Sequence, residues 1–170
     1  MPWLAVREGP VFSPVAYEGP ARDLVHALKF HGRTAAAKVM AAQIAANAPP
    51  GLLAGTLVPV PAHPRRRRER GFDQSRILAR ELARRADLPI VDALSRGSGG
   101  GRQATAGRRT RLTQDLGIMA RRPVMGPVVL VDDVVTTGAT LRACARALGG
   151  ERVTAVTYAR TSGQNALRFP

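Results

Sequence analysis

Two adjacent carboxylates, Asp132 and Asp133, follow the apolar run Val128–Val131, and Thr136-Thr137-Gly138-Ala139-Thr140 follows them at the start of an expected helix. The two halves of this segment suit different parts of one ligand. A helix start offers unpaired backbone N–H groups and the positive end of the helix dipole, which attract a phosphate. Gly138 permits close approach of the backbone, and the three threonines add hydroxyl donors. Carboxylates beside that pocket repel phosphate, so they must face something else on the same molecule. The vicinal hydroxyls of a ribose, about one sugar's width away, are natural donors to them. The ordinary alternative is a strand-to-helix turn with capping Thr and Asp, which a lone Thr-Thr-Gly would favour. The complete thirteen-residue pattern Val128–Thr140 weighs against it. The chain has no GxxxxGK[ST] motif and no GxGxxG after a strand, which excludes the P-loop and dinucleotide readings on their own terms.

Such a site needs a strand that ends beside a helix start, as in an open α/β sheet. Val128–Val131 lies within the clearest strand, Pro127–Val131, a continuous apolar run of the kind buried on both faces of a parallel sheet. Ala139–Leu148 reads as the helix after it, stopped by Gly149-Gly150, and Val153–Tyr158 as a further strand. Upstream, Ala21–Phe30 is expected to be a short helix, with Thr34 capping a second one, Ala35–Asn47. Thr56–Val60 reads as a short strand, Ala62–Gly71 as a basic loop and Gln74–Arg85 as a helix with Ile77, Leu78, Leu82 and Ala86 at helical spacing. Pro89–Leu94 is expected as another strand. Arg96–Arg111, with Gly97, Gly99, Gly100 and Gly101 and few large apolar residues, reads as a mobile loop. Strands alternating with helices predict an α/β fold with a parallel sheet, and 170 residues without a clear linker predict one domain over 1–170.

Composition sets the outer limits. Hydrophobic residues make up 45% and aromatics only 4%, so Val, Leu, Ile and Ala must supply most of the core. The formal net charge is +14, and only Lys29 and Lys38 among the 26 basic residues are lysines. Arginine's planar fork matches phosphate oxygens in pairs, which suits a phosphate-bearing partner; an arginine bias decorating solvated faces explains the composition equally well. Cys144 is the only cysteine, so an intrachain disulfide and a thiolate zinc cluster are both excluded. A buried thiol is its expected role. No apolar run approaches membrane-spanning length and no signal pattern opens the chain, so no membrane insertion and a cytoplasmic location are expected.

Val128–Thr140 resembles the phosphoribosyl pyrophosphate (PRPP) signature of type I phosphoribosyltransferases. Three further segments resemble the ComF-like branch: Tyr17–Gly32, Val58–Ala79 and Arg102–Arg111. The resemblance implies a twisted, mostly parallel sheet flanked by helices, with a small hood from the N- and C-terminal residues, Leu24–His31 among them. It implies that Asp132 and Asp133 hold the ribose and that Val134, Val135, Thr136, Thr137, Gly138, Ala139 and Thr140 wrap the 5′-phosphate. Pro61, Ala62, His63, Arg65 and Arg66 fall in a segment that resembles the pyrophosphate-binding loop, and Arg102 or Arg108 would reach the leaving group from a closing loop. Magnesium is implied with PRPP, with Asp132 and Asp133 as its only candidate protein ligands. Zinc is not, because the cysteine-rich module found in many relatives is absent from this sequence.

The implied reaction displaces pyrophosphate from C1 of the ribose, with acceptor undefined. Within Gln103–Gln114, Ala106, Thr110 and Gln114 replace the Leu, Glu and Asn usual in the branch, while Gln103 and Arg111 stay in register. A non-catalytic accessory protein of DNA uptake and competence, binding PRPP, a nucleotide or single-stranded DNA, therefore stands beside an active transferase. A DNA module resting on the arginine surface has few aromatics for base stacking; Trp3, Phe72 and Tyr158 are scattered. Dimers are common in the family, so a homodimer is allowed.

Overall fold

A computed structural model describes residues 3–6, 9–31, 34–97, 116–149 and 152–161. In chain order these form β1 (Trp3–Val6), β2 (Gly9–Phe12), β3 (Val15–Ala16), α1 (Gly19–His31), α2 (Thr34–Asn47), β4 (Thr56–Pro59), α3 (Pro64–Arg70) and α4 (Gln74–Ala86). β5 (Leu94–Arg96), β6 (Ile118–Ala120), β7 (Val128–Val135), α5 (Ala139–Ala147) and β8 (Val153–Arg160) follow. The main sheet runs β1-β2-β8-β7-β4, and β3 continues the path of β2 along β8. β2, β3 and β7 are parallel to β8, and β4 is parallel to β7; among the described residues of this sheet only β1 is antiparallel to its neighbour. The expected α/β fold with a mostly parallel sheet flanked by helices is therefore the fold observed.

β7 is central, and its alternation explains why it reads as unbroken apolar sequence. Val129 and Val131 enter one core cluster with Leu28, Met40, Ile44, Leu78 and Tyr158, while Val128 and Leu130 enter another with Leu141, Cys144 and Ala155. Successive strand residues face opposite sides, so a strand covered on both faces has no polar position to spend. Each fully buried Val or Leu contributes roughly 1.5–3 kcal/mol of transfer free energy, which lets aliphatic residues replace the missing aromatics. α2 shows the same economy, burying Ala36, Ala37, Met40, Ala41 and Ile44 along one face against the cluster that also holds Leu78 and Leu82 of α4. Phe12 and Tyr158 are the aromatic exceptions; the Tyr158 hydroxyl and the Gln43 Oε1 of α2 lie 2.6 Å apart, which satisfies the polar tip of a buried ring.

Three expectations need correction. Ala62–Gly71 is not a loop throughout, because Pro64–Arg70 forms α3. Pro64 stands where its missing N–H is harmless, His63 Nδ1 accepts the Arg65 N–H at 3.2 Å, and Arg65 pairs with Glu69 one turn on. Gly71 at φ 76° then ends the helix. Pro89–Leu94 is not a strand: Leu57 of β4 exchanges hydrogen bonds with Pro89 and Val91 around a single bridge at Ile90. Leu94–Arg96 instead pairs antiparallel with β6, outside the main sheet. Finally, β1, β2, β3 and β6 add four strands that the sequence did not announce.

Candidate functional site

The acid pair does not cap the apolar strand but lies inside it. β7 runs on to Val135, and Asp132 aligns with Thr157 while Val134 aligns with Ala159 of β8. The flanking ladder therefore fixes the backbone of both acids, where a loop would leave it free. Their side chains take different partners. Asp132 Oδ1 accepts from Ser75 Oγ of α4 at 2.7 Å and from the Asp133 N–H at 2.8 Å. Asp133 is 4% exposed, and Lys29 Nζ of α1 lies 3.2 Å from its Oδ2.

Burial and then the neighbouring Asp133 push the Asp132 carboxyl above its ordinary value, to about 7. The hydrogen bonds from Ser75 and the Asp133 N–H, and the charge of Lys29, pull the other way without cancelling them. Placing two carboxylates side by side is costly, and the charge of Lys29 offsets it only in part. Such an arrangement is unfavourable for the empty protein and suits a site that receives hydroxyl donors or a cation.

The next residues turn the chain from β7 into α5. Val135 is buried, Val134 and Thr140 are half-buried, and Thr136, Thr137 and Ala139 are exposed. Gly138 is the N-cap, buried, at φ 72° and ψ 3°. That left-handed conformation is disfavoured for residues with a Cβ, which explains glycine here. Gly138 has no side chain with which to cap α5. Thr137 Oγ1 accepts the Ala139 N–H, at a long 3.4 Å. The first turn of α5 thus presents backbone donors at a surface flanked by two threonine hydroxyls.

The end of β4 lies alongside. The Val60 N–H donates to the Val131 carbonyl at 2.9 Å, which brings Pro61, Ala62 and His63 beside the acid end of β7. Asp73 fastens this stretch: its Oδ2 accepts the Ala62 N–H at 3.0 Å, while its Oδ1 caps α4 through the Arg76 N–H at 3.4 Å. Arg65 and Arg66 are exposed on α3, and Arg65 Nε is already engaged with Glu69 Oε1 at 2.7 Å. Arg102 and Arg108 lie outside the described residues, as does most of the expected mobile loop.

Lys29, Ser75 and Arg96 were not singled out as site residues by the sequence reasoning. Lys29 and Ser75 fall within the segments Tyr17–Gly32 and Val58–Ala79, but no local spacing links either to the acid pair, because the contact is made only through the tertiary fold. Arg96, half-buried on β5, feels burial lowering its pKa, while Cys144 and Asp132 raise it and Arg66 lowers it. Its guanidinium thus feels the charge of Asp132. Cys144 is fully buried, and burial, aided by Asp132, pushes its thiol up to about 12; it is an inert core residue.

Among the described residues no cluster of three or more His, Cys, Asp or Glu side chains could cage a metal, and no helix is long and apolar enough to cross a membrane. No curated protein matches the sequence. One family model does match it: the phosphoribosyl transferase domain, over residues 73–170, more than half of the chain and inclusive of the acid pair and the turn after it.

Proposed function

Because this chain belongs to the phosphoribosyl transferase domain family, we propose that Asp132–Thr140 binds PRPP and that the protein transfers its phosphoribosyl group to an acceptor with loss of pyrophosphate. The observation that carries this reading is the continuous path from a buried, strand-held acid pair to the open first turn of α5. The 5′-phosphate would sit against the backbone donors and threonine hydroxyls of Val134–Thr140. Ribose hydroxyls would donate to Asp132, whose Oδ1 is already oriented by Ser75, and to Asp133, held by Lys29. Pro61, Ala62 and His63, with Arg65 and Arg66, would face the pyrophosphate, each charge-assisted arginine contact being worth about 1.5–3 kcal/mol.

As the bond from C1 to pyrophosphate breaks, positive charge grows on the sugar ring and negative charge on the leaving group. The carboxylates of Asp132 and Asp133 would favour the first, and the arginines the second. The donor set fits magnesium brought by PRPP: a hard cation keeps several waters and needs only one or two carboxylates, and Asp132 and Asp133 are the available pair. When bound, magnesium would neutralise pyrophosphate charge. The ComF-like branch is the finer assignment, supported by Tyr17–Gly32 and Val58–Ala79; both supply residues to the site, Lys29 and Ser75.

Pyrophosphate release from PRPP and magnesium across a panel of purine and pyrimidine bases tests the transfer. Release that depends on one base is expected. PRPP that raises the melting temperature while no base elicits release would leave binding intact and replace transfer by an accessory role, for which the altered Gln103–Gln114 segment speaks.

A further inference from the structure

Asp133 is the less accessible half of the acid pair, and Lys29 lies against it. Only 4% of Asp133 is exposed, and its Oδ2 is 3.2 Å from the Lys29 ammonium of α1. The contact is an ion pair and nothing more: among the described residues the buried Asp133 Oδ2 accepts no hydrogen bond. Asp132 is held differently, its Oδ1 accepting from Ser75 Oγ at 2.7 Å and from the Asp133 N–H at 2.8 Å. A ribose hydroxyl or a cation that is to reach Asp133 Oδ2 must therefore take the place of the ammonium.

Three features suit Lys29 to leaving. Its side chain keeps 21% exposure, which gives it room to move toward the surface. It is a lysine in a chain where only Lys29 and Lys38 among the 26 basic residues are lysines. Arginine would clamp carboxylate oxygens in pairs through its planar fork, whereas an ammonium is a hydrated point charge on a flexible stem, readily exchanged for another cation. The Tyr17 ring, with its centroid 6.0 Å from Lys29 Nζ, offers the ammonium a second resting place at the edge of cation–π reach. Two ionised carboxylates, moreover, carry one charge more than a single ammonium neutralises, so a divalent ion is the better partner for the pair.

On the phosphoribosyl reading of the site, we propose that Lys29 is a displaceable cover on Asp133, which stands in for the cation in the empty protein and swings toward Tyr17 when PRPP and its divalent ion arrive. Lys29 thereby keeps free metal off the acid pair until PRPP supplies the remaining oxygen ligands. Manganese takes the same oxygen ligands as magnesium, and its binding is read from loss of the free-ion electron paramagnetic resonance signal. Without PRPP, Lys29→Met should bind manganese at least about tenfold more tightly than the wild type, and adding Asp133→Asn should remove that gain. Lys38→Met, exposed on α2, should match the wild type. Manganese should raise the melting temperature of Lys29→Met and leave that of the wild type unchanged. A Lys29→Met chain that folds only with manganese supports the proposal equally, and one that manganese does not refold overturns it. Lys29→Arg is the second arm. Its fork should grip Asp133 more firmly and weaken PRPP affinity at least about tenfold with no loss of melting temperature, whereas a merely structural cation would be replaced by arginine without effect on PRPP. Manganese binding by folded Lys29→Met no tighter than by the wild type, or undiminished PRPP affinity in Lys29→Arg, would overturn the proposal. Failure of the phosphoribosyl reading looks different: the wild type would then bind no PRPP, whatever manganese does.

Discussion

Replacing Asp132 with asparagine is expected to stabilise the protein above neutral pH while removing its affinity for PRPP. The two effects have opposite signs because the same carboxyl is costly to hold and useful to keep. Its pKa rises from an ordinary 3.8 to about 7 in the folded chain, through burial first and Asp133 second. Between those values the folded state binds a proton that the unfolded state has released, so stability falls as pH rises through the window and levels off above it. Asparagine carries no charge at any of these pH values, and its Oδ1 can still accept from Ser75 Oγ and the Asp133 N–H. The difference in melting temperature between variant and wild type should therefore grow from about pH 4 to about pH 7 and then stay level. A melting series across that range checks it; a variant less stable than wild type at pH 8 would show that the carboxylate is better accommodated than its surroundings imply. Stability bought at the expense of binding is the usual trade at a functional site.

Gly138→Val is the second change with a large expected effect, and here stability and binding fall together. At φ 72° an L-residue costs roughly 1–2 kcal/mol, and a β-branched side chain is worse placed than most. The chain can escape only by rotating the peptide that starts α5, which turns the donors of the first turn away from the phosphate. Losing two or more charge-assisted bonds corresponds to an affinity drop of at least about 100-fold. Gly138→Asn, which tolerates the left-handed region, should recover much of the stability. Urea unfolding and PRPP titration of both variants separate backbone strain from lost contacts. Unimpaired PRPP binding by the valine variant would remove Asp132–Thr140 as the phosphate cradle.

What was legible in the sequence follows from where its information is local. The continuous apolar run into β7 could be read as a doubly covered strand, and Gly138 as a special backbone position, because both constraints act within a few residues. The length of β7 could not, since Asp132 and Asp133 look like a strand end until β8 is seen to pair alongside them. α3 was hidden by charge: seven residues rich in arginine read as a solvated loop, and the His63 cap and Arg65–Glu69 pair that order them give weak signals one at a time. Lys29 and Ser75 meet the acid pair across 104 and 57 residues of chain, counted from Asp133 and Asp132 respectively, and no spacing rule spans such distances. The basic cleft lined by Arg67, Arg76, Arg80, Arg96 and Arg122 is the extreme case: its charge was visible in the composition, but its walls come from the end of β4, α3, α4, β5 and the residues after β6, which only the fold brings together.

The most direct measurement is calorimetric titration of PRPP with magnesium into the wild type and into Asp132→Asn with Asp133→Asn, beside a melting curve of each. Saturable binding by the wild type, and none by a double variant whose melting temperature is no lower, is the predicted result. Undiminished affinity in the folded double variant would contradict the assignment of Asp132–Thr140 as the phosphoribosyl site.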